Sequence, residues 1–178
     1  LALEGAKVTA VDLSASRLKR LKSNLDRLSL SAEIVRADVL KWEPERKFDA
    51  VLLDAPCSST GTVRRHPDVP WTKTPEDVAK LADLQRRLLA HALTLIHPSG
   101  MVVFSNCSLD PSEGEELVQE LLAKRSDVAV DPILPEELPG AEHFVTAEGF
   151  LRTTPALTGA EGQLDNIDGF FAARLRLR

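Results

Sequence analysis

The segment Phe48-Asp49-Ala50-Val51-Leu52-Leu53-Asp54 decides the fold class, because it is a nearly all-apolar run of strand length that ends at an acidic residue. Such a run is typical of a strand covered on both faces. Apolar residues at helical spacing follow Ser14, and they recur from Glu76 to about Leu95. Further strands are predicted at Lys7–Val11, Ala32–Arg36 and Met101–Ser105. Strands that alternate with helices predict an α/β fold with a mostly parallel, twisted sheet and helices on both faces.

The C-terminal third adds a helix and two strands to this pattern. Ser112 and Glu115 have the spacing of a capping box, which predicts a helix that begins there and runs to about Lys124. Gly149–Arg152 and Gly169–Leu177 predict two final strands without a helix between them, and therefore an antiparallel pair at the edge of the sheet. A solvated edge is also the simplest interpretation of the alternating arginines of the last strand, Arg174, Arg176 and Arg178.

The composition is that of a globular protein. Of the 178 residues, 43% are hydrophobic and 28% are charged, which argues against a disordered chain. No apolar run approaches the roughly 20 residues of a membrane span, and the first residues do not resemble a secretory leader. We therefore expect a cytoplasmic protein with reduced thiols and no membrane partner, with residues 1–178 in a single domain.

The net charge of −5 argues only weakly against a nucleic-acid partner, because the charge is unevenly distributed. Residues 110–148 hold 11 acidic and 2 basic side chains, whereas residues 1–109 hold 13 acidic and 16 basic ones. The acidity is thus concentrated in one segment, and a basic surface elsewhere in the molecule is compatible with the sequence.

Acidic residues follow three of the predicted strands. In parallel sheets, ligands bind beyond the carboxyl ends of the strands, and Asp12, Asp38 and Asp54 would lie there. Asp12 could accept hydrogen bonds from the ribose hydroxyls of a nucleotide cofactor, or it could cap the helix that follows. The same two interpretations apply to Asp38, for which a turn acid is the commoner explanation.

The two cysteines also follow predicted strands. Cys57 comes after Asp54-Ala-Pro, and Cys107 lies within Ser105-Asn-Cys-Ser108. A single cysteine is most often a small buried apolar residue, but two thiols at two strand ends, both flanked by hydroxyls, are hard to explain by packing. A redox pair or half of a metal site is possible, although no histidine has ligand spacing to either cysteine, and we predict no metal.

The loop after Cys57 combines basic and aromatic side chains. Arg64, Arg65 and Trp71 could hold phosphates and stack on a base. An ordinary exposed loop is the alternative, above all for Arg65 taken alone.

The motifs around these residues together resemble those of one family. They are Asp54-Ala-Pro-Cys-Ser-Ser-Thr-Gly61, then Arg64-Arg-His-Pro-Asp68 with Trp71, then Ser105-Asn-Cys-Ser108, and finally Asp168-Gly-Phe-Phe-Ala172. With these motifs the chain resembles the Sun-type, RsmB/Fmu-like RNA cytosine-C5 methyltransferases from Lys7 to Leu177. The resemblance implies a class I methyltransferase-like Rossmann fold with S-adenosylmethionine as the cofactor and RNA, most often rRNA, as the partner.

The resemblance also implies a role for each site residue. Cys107 would add to C6 of the target cytosine, and Cys57 would assist the later elimination. Asp54 would bind the base near N3 and N4, where it also borders the cofactor. Asp12 would bind the ribose hydroxyls of the cofactor and Asp38 its adenine amine. The substrate RNA would contact Arg64, Arg65 and Trp71.

The sequence departs from the family pattern in two places. Asn106 stands where the family usually has threonine, and no glycine-rich run precedes Lys7. We therefore expect an N-terminally incomplete catalytic domain that lacks the first strand and the glycine loop. A tRNA substrate and a non-catalytic RNA-binding module that retains the fold are the alternatives.

Overall fold

The computed structural model describes residues 1–155 and 167–178 and divides the chain into two compact units, Leu1–Glu45 and Arg46–Arg178. In the first unit, β1 (Thr9–Asp12) pairs in parallel with β2 (Glu33–Arg36). The helix α1 (Ala15–Arg27) connects the two strands. Its N-cap is Ser14, whose hydroxyl accepts a hydrogen bond from the backbone N–H of Arg17 at 3.3 Å. The predicted strand–helix–strand unit is confirmed, with β1 beginning two residues later than expected.

The second unit is a mixed sheet with helices. Its strands follow the order β3-β4-β7-β5, and β6 also pairs with β7. Strands β3 and β4 are parallel, whereas β7 is antiparallel to β4, β5 and β6. The elements are β3 (Phe48–Asp54), α2 (Val69–Thr72), α3 (Pro75–Leu95), β4 (Ile96–Asn106), α4 (Glu115–Lys124), β5 (Val128–Val130), β6 (Leu151–Thr153) and β7 (Phe170–Leu177). The α/β prediction is confirmed.

The last strand lies inside the sheet, so the prediction of an antiparallel edge pair is only half right. Strand β7 does pair with β6, but its other edge pairs with β4 along Met101–Asn106. The prediction that its arginines form a solvated edge is wrong for Arg174 and Arg176, whereas Arg178 is exposed. Arg174 and Arg176 both form ion pairs with Asp131 at 2.8 Å. Acidic partners from the segment after β5 therefore neutralise the charges of this strand.

Strand β3 is covered on one face, not on both as the apolar run suggested. Val51 and Leu53 pack against the core, whereas Leu52 is 58% exposed. Successive side chains of a strand point to opposite faces, and α3 packs on the inner one. The core is formed by buried residues of α3, β4, α4 and β7 and of the segment before β6: Leu89, Leu93, Val102, Phe104, Leu117, Val118, Phe150 and Phe171.

Strand β4 begins earlier than the sequence suggested. The segment Pro98-Ser99-Gly100, which precedes the predicted strand, lies within β4, whose pairing with β3 shifts register between Phe48 and Ala50. Phe48 is opposite Ile96, and Ala50 is opposite Met101. Strand β4 has more residues than β3 between these two pairs. The extra residues of β4 form an irregularity in the ladder rather than a connection between two elements.

The predicted capping box at Ser112 and Glu115 is absent. Asp110 instead caps a short 3₁₀ helix at Pro111–Glu113, and its carboxylate accepts from the Ser112 N–H at 2.9 Å. Helix α4 starts after it, and its N-cap is Gly114, which offers no side chain. Glu115 is engaged elsewhere, since its Oε1 accepts from Nε of Arg152 at 2.8 Å.

Candidate functional site

The two cysteines lie beyond the carboxyl ends of neighbouring parallel strands. Asp54 ends β3 and is opposite Ser105 near the end of β4. The chain then leads to Cys57 on one side and Cys107 on the other, with 3.5 Å between the two Sγ atoms. Both are free, half-buried thiols. The structure therefore brings together the two thiols that the sequence had singled out.

The two thiols have opposite electrostatic environments. A hydrogen bond from the Cys57 thiol favours the Cys107 thiolate and lowers the pKa of Cys107 to about 6. Ser59 acts in the same direction, with its Oγ 3.6 Å from the Cys107 sulfur, whereas burial and the Asp54 carboxylate oppose the shift. The same hydrogen bond to Cys107, together with burial, raises the pKa of Cys57. The pair therefore holds one nucleophilic thiolate beside one protonated thiol.

Close backbone packing fixes the Cys107 segment against the loop that follows Cys57. The Gly61 N–H donates to the Cys107 carbonyl at 2.9 Å, and the Gly169 N–H donates to the Gly61 carbonyl at 2.8 Å. A Cβ at Gly61 would lie 2.2 Å from the Gly169 oxygen and 2.7 Å from the Cys107 oxygen. Only glycine fits here, because this approach leaves no room for a side chain.

A buried carboxylate that the sequence analysis did not single out joins the two cysteine segments. Glu113 is 0% exposed, and its Oε1 accepts from the Ser58 N–H at 3.0 Å. Its Oε2 accepts from the Ser108 hydroxyl at 2.6 Å and also from the Ser58 hydroxyl. Glu113 follows Ser112, where the sequence predicts the start of a helix and where an acid is common. The repeated Cys-Ser dipeptide was the signal that could have revealed it.

Arg152 supports the second cysteine segment from β6. Its Nη1 donates to the Ser108 carbonyl at 2.6 Å, and its guanidinium lies 4.8 Å from the centre of the Phe171 ring. Because the side chain also pairs with Glu115, it connects β6, the Cys107 segment and the start of α4.

Asp12 and Asp38 belong to the N-terminal unit, where both have local partners. Asp12 pairs with Arg17 through Nε at 2.7 Å and also accepts from the Ser14 N–H at 2.7 Å. The hydrogen bonds from Arg17 lower the pKa of Asp12. Asp38 accepts from the Leu40 N–H at 3.1 Å and caps a 3₁₀ turn. Asp38 therefore has the expected turn role, whereas Asp12 does not cap α1, because the N-cap of that helix is Ser14. The role of each acid toward a cofactor stays a prediction.

The basic loop is mostly exposed. Trp71 is 89% exposed within the short helix α2, and Arg64 is exposed as well. Arg65 forms an ion pair with Asp168, next to Gly169, so this arginine also ties the loop to the segment before β7. The contact of these three side chains with RNA stays a prediction.

Two classes of feature are not found in residues 1–155 and 167–178. No three of their histidine, cysteine, aspartate and glutamate side chains gather in a way that could hold a metal ion. None of the helices in this part of the chain combines the length and apolarity of a membrane span.

The fold is that of a class I methyltransferase. A solved methyltransferase homologue from Pyrococcus horikoshii is similar, with 28% identity and a TM-score of 0.74 over 97% of this chain and 54% of that one. The sequence profile of the 16S rRNA methyltransferase RsmB/F family matches residues 1–176. The chain belongs to this family.

Named relatives agree with this assignment. Ribosomal RNA small subunit methyltransferase B of Shewanella oneidensis is 38% identical over 172 residues, which are 95% of this chain and 37% of that protein. Methyltransferase F of Serratia proteamaculans is 39% identical over 173 residues, 95% of this chain and 34% of that protein. The chain therefore spans little more than a third of the relatives that it matches.

Proposed function

We propose that this chain is part of the catalytic domain of an S-adenosylmethionine-dependent RNA methyltransferase that modifies C5 of a cytosine in 16S rRNA in the cytoplasm. The observation that carries the proposal is the Cys107 sulfur, which has a lowered pKa and lies 3.5 Å from the Cys57 sulfur. Family membership supports the choice of rRNA as the substrate.

A thiolate solves the chemical difficulty of this reaction, because C5 of cytosine is a poor nucleophile. Cys107 adds to C6, and the electron pair of the C5–C6 double bond moves toward C5. S-adenosylmethionine, when bound, supplies an electrophilic methyl group to C5. The methyl transfer releases S-adenosylhomocysteine. Solvent water then takes up the C5 proton, the electron pair of that C–H bond re-forms the C5–C6 double bond, and the electron pair of the C6–S bond leaves with Cys107 as a thiolate. Since its pKa is about 6, Cys107 is mostly ionised at neutral pH.

Two neighbours of Cys107 have distinct tasks in this scheme. Cys57 keeps its proton because its pKa is raised, so it assists the elimination by donating a hydrogen bond to the departing Cys107 sulfur. Asp54 is exposed at the end of β3, and its carboxylate binds the base near N3 and N4. The target base must leave any helical stack to reach these groups, which favours looped RNA.

The donor and acceptor chemistry of the N-terminal unit fits the cofactor. Asp12 and Asp38 follow β1 and β2, which are neighbouring parallel strands. Carboxylate oxygens accept the hydrogen bonds that a ribose diol and an adenine amine donate. We assign the ribose to Asp12, which a lowered pKa keeps ionised, and the adenine amine to Asp38.

The exposed loop fits the RNA. The indole of Trp71 offers a face for a base, and Arg64 and Arg65 offer charge for phosphates.

Replacement of each cysteine in the full-length protein tests the proposal. Cys107→Ala removes the nucleophile, and we expect methyl transfer to 16S rRNA to fall at least about 1000-fold. Retained transfer would reject the role of Cys107. Cys57→Ala is the matched control, since it removes the other thiol of the pair and leaves the nucleophile in place. It should accumulate a covalent protein–RNA adduct on a denaturing gel, whereas Cys107→Ala should form none.

Substrate choice is tested with two RNAs under the same conditions. Methyl transfer to unmodified 16S rRNA should exceed transfer to unmodified tRNA. The opposite preference would replace the rRNA assignment with the tRNA alternative and leave the chemistry intact.

A further inference from the structure

The dipeptide Cys-Ser occurs twice in the site, and both serines turn inward. Ser58 and Ser108 are 0% exposed, whereas the cysteines before them are half-buried. The two hydroxyls lie 3.1 Å apart. Both donate to the same oxygen, Oε2 of Glu113, with 2.6 Å for Ser108. One carboxylate oxygen thus contacts the residue after each cysteine.

Further hydrogen bonds hold Glu113 through its carboxylate and through its backbone carbonyl. Nε2 of Gln85, a fully buried residue of α3, donates to Glu113 Oε1 at 2.8 Å and to the Pro56 carbonyl at 2.8 Å. The Glu113 carbonyl accepts from Nδ2 of Asn106 at 2.6 Å. Pro56 and Asn106 are the residues directly before Cys57 and Cys107, so both cysteines are held on both sides.

Burying a carboxylate in this position is an energetically unfavourable way to join two loops. Burial strongly penalises a charged group unless hydrogen bonds offset the loss of its hydration. Glu113 has four donors, all of them neutral groups of Ser58, Ser108 and Gln85. Apolar packing would join the loops without this cost, but it would not set the direction of two hydroxyls. The contacts therefore indicate a role in alignment.

We propose that Glu113 is a positioning residue that sets the separation of the two thiols by fixing the serine after each of them. This inference rests on the proposed function and extends it to a residue that touches no reacting atom. When Ser58 and Ser108 are fixed inward, Cys57 and Cys107 turn toward each other. A shift of about 1 Å in such an arrangement is enough to impair a reaction by about 100-fold.

The groups that bear on the ionisation of Cys107 are Cys57 and Ser59 from the segment after β3 and Asp54 at the end of β3. The charged groups on neighbouring elements are Asp110 and Glu113 of its own segment, Arg152 of β6, which donates to the Ser108 carbonyl, and Asp168, which pairs with Arg65 and precedes the Gly169 bonded to Gly61. The position of Cys57 decides whether its thiol can donate to the Cys107 sulfur. Displacement of the Cys57 segment should therefore raise the pKa of Cys107.

The test compares Glu113→Gln with Glu116→Gln in the full-length protein. Gln has the same size but replaces one acceptor oxygen with an amide nitrogen, so some of the four donors lose their partner. Glu116 is in the first turn of α4 and serves as the matched control. For Glu113→Gln, we expect the pH midpoint of Cys107 alkylation to rise by at least about one unit. The kcat at pH 6.5 should fall at least about threefold, as the thiolate fraction does, and recover at higher pH, with KM for S-adenosylmethionine within about twofold of its original value.

A purely structural role would lower the amount of folded protein and leave the alkylation midpoint unchanged. A folded Glu113→Gln protein with the original midpoint and kcat would overturn the inference. Should that protein fail to fold, Ser58→Ala removes a single hydroxyl and must shift the midpoint in the same direction, or the inference is wrong. If the Cys57→Ala protein forms no covalent adduct with RNA, the proposed function fails, whereas the alkylation midpoints still test Glu113.

Discussion

The segments around Cys57 and Cys107 are alike in sequence and opposite in chemistry. Each follows a strand of the same parallel pair, and each continues with a buried serine bonded to Glu113. Yet the pKa is raised at Cys57 and lowered to about 6 at Cys107. The difference shows that ionisation here depends on which thiol donates to the other, and on Ser59 beside them.

Replacement of Gly61 should have the largest effect on the difference between the two cysteine segments. In Gly61→Ala the new methyl group meets backbone oxygens of Gly169 and Cys107, which are not the flexible ends of side chains. We expect a loss of about 1–3 kcal/mol in the free energy of unfolding, as for other overpacked sites. We also expect Cys57 and Cys107 to become similar to each other in their rates of alkylation. Urea unfolding and alkylation with mass-spectrometric detection measure these effects.

Gly169→Ala provides the contrast for Gly61→Ala. Its methyl group would meet Cδ2 of Leu109 at 2.4 Å, a side chain that can move, and Cα of Gly61 at 2.8 Å. The loss of stability should be the smaller of the two. Equal stability of the Gly61→Ala protein and the unaltered protein would contradict the close approach of the backbones.

Removal of the donor at Cys57 should raise the pKa of Cys107 without disturbing the fold. In Cys57→Ala the Cys107 thiolate loses the hydrogen bond that contributes most to its lowered pKa. We expect the alkylation midpoint of Cys107 to move from about 6 toward the ordinary cysteine value of about 8.5. Alkylation at pH 7 should slow accordingly.

Cys57→Ser separates hydrogen bonding from the sulfur itself. A hydroxyl also donates, so this variant should keep the Cys107 midpoint well below that of Cys57→Ala. If the two variants have the same midpoint, the hydrogen bond is not the cause of the lowered pKa.

The unaltered protein should already show a difference in alkylation between Cys107 and Cys57, although this effect is smaller than those of the substitutions. Because the thiolate fraction rises with pH, alkylation of Cys107 should increase through pH 6 and level off, while Cys57 stays protonated at pH 7. A thiolate of low pKa is intrinsically less nucleophilic, which reduces the advantage, and we expect Cys107 to react at least about tenfold faster than Cys57. Peptide mapping after brief treatment with iodoacetamide measures this ratio.

The sequence predicted those parts of the molecule that depend on local pattern. The apolar run of β3 and the Ser14 cap of α1 were readable because each reflects burial or capping by near neighbours. The two cysteines were found because both directly follow predicted strands. Their meeting follows from the pairing of β3 with β4.

Features set by distant partners could not be read in this way. The interior position of β7 depends on pairing with three strands, and nothing within Phe170–Leu177 specifies which ones. Glu115 has the spacing of a capping residue, but Arg152 from β6 takes its carboxylate. Glu113 is at an ordinary helix-start position in the sequence. Its role in joining the two cysteine segments is visible only in the fold, where two serines 50 residues apart meet at one of its oxygens.

The hydrogen bond from Gly169 to Gly61 has a consequence for how the protein is made. Its partners are far apart in the chain, and closing so long a loop is slow and entropically costly. During synthesis on the ribosome, Cys57 and Cys107 emerge well before Gly169 and β7, whose pairing with β4 completes the segment around them. The nascent chain thus acquires its final thiol arrangement only after β7 has emerged from the ribosome, and a reactive Cys107 would be a marker that β7 has paired with β4.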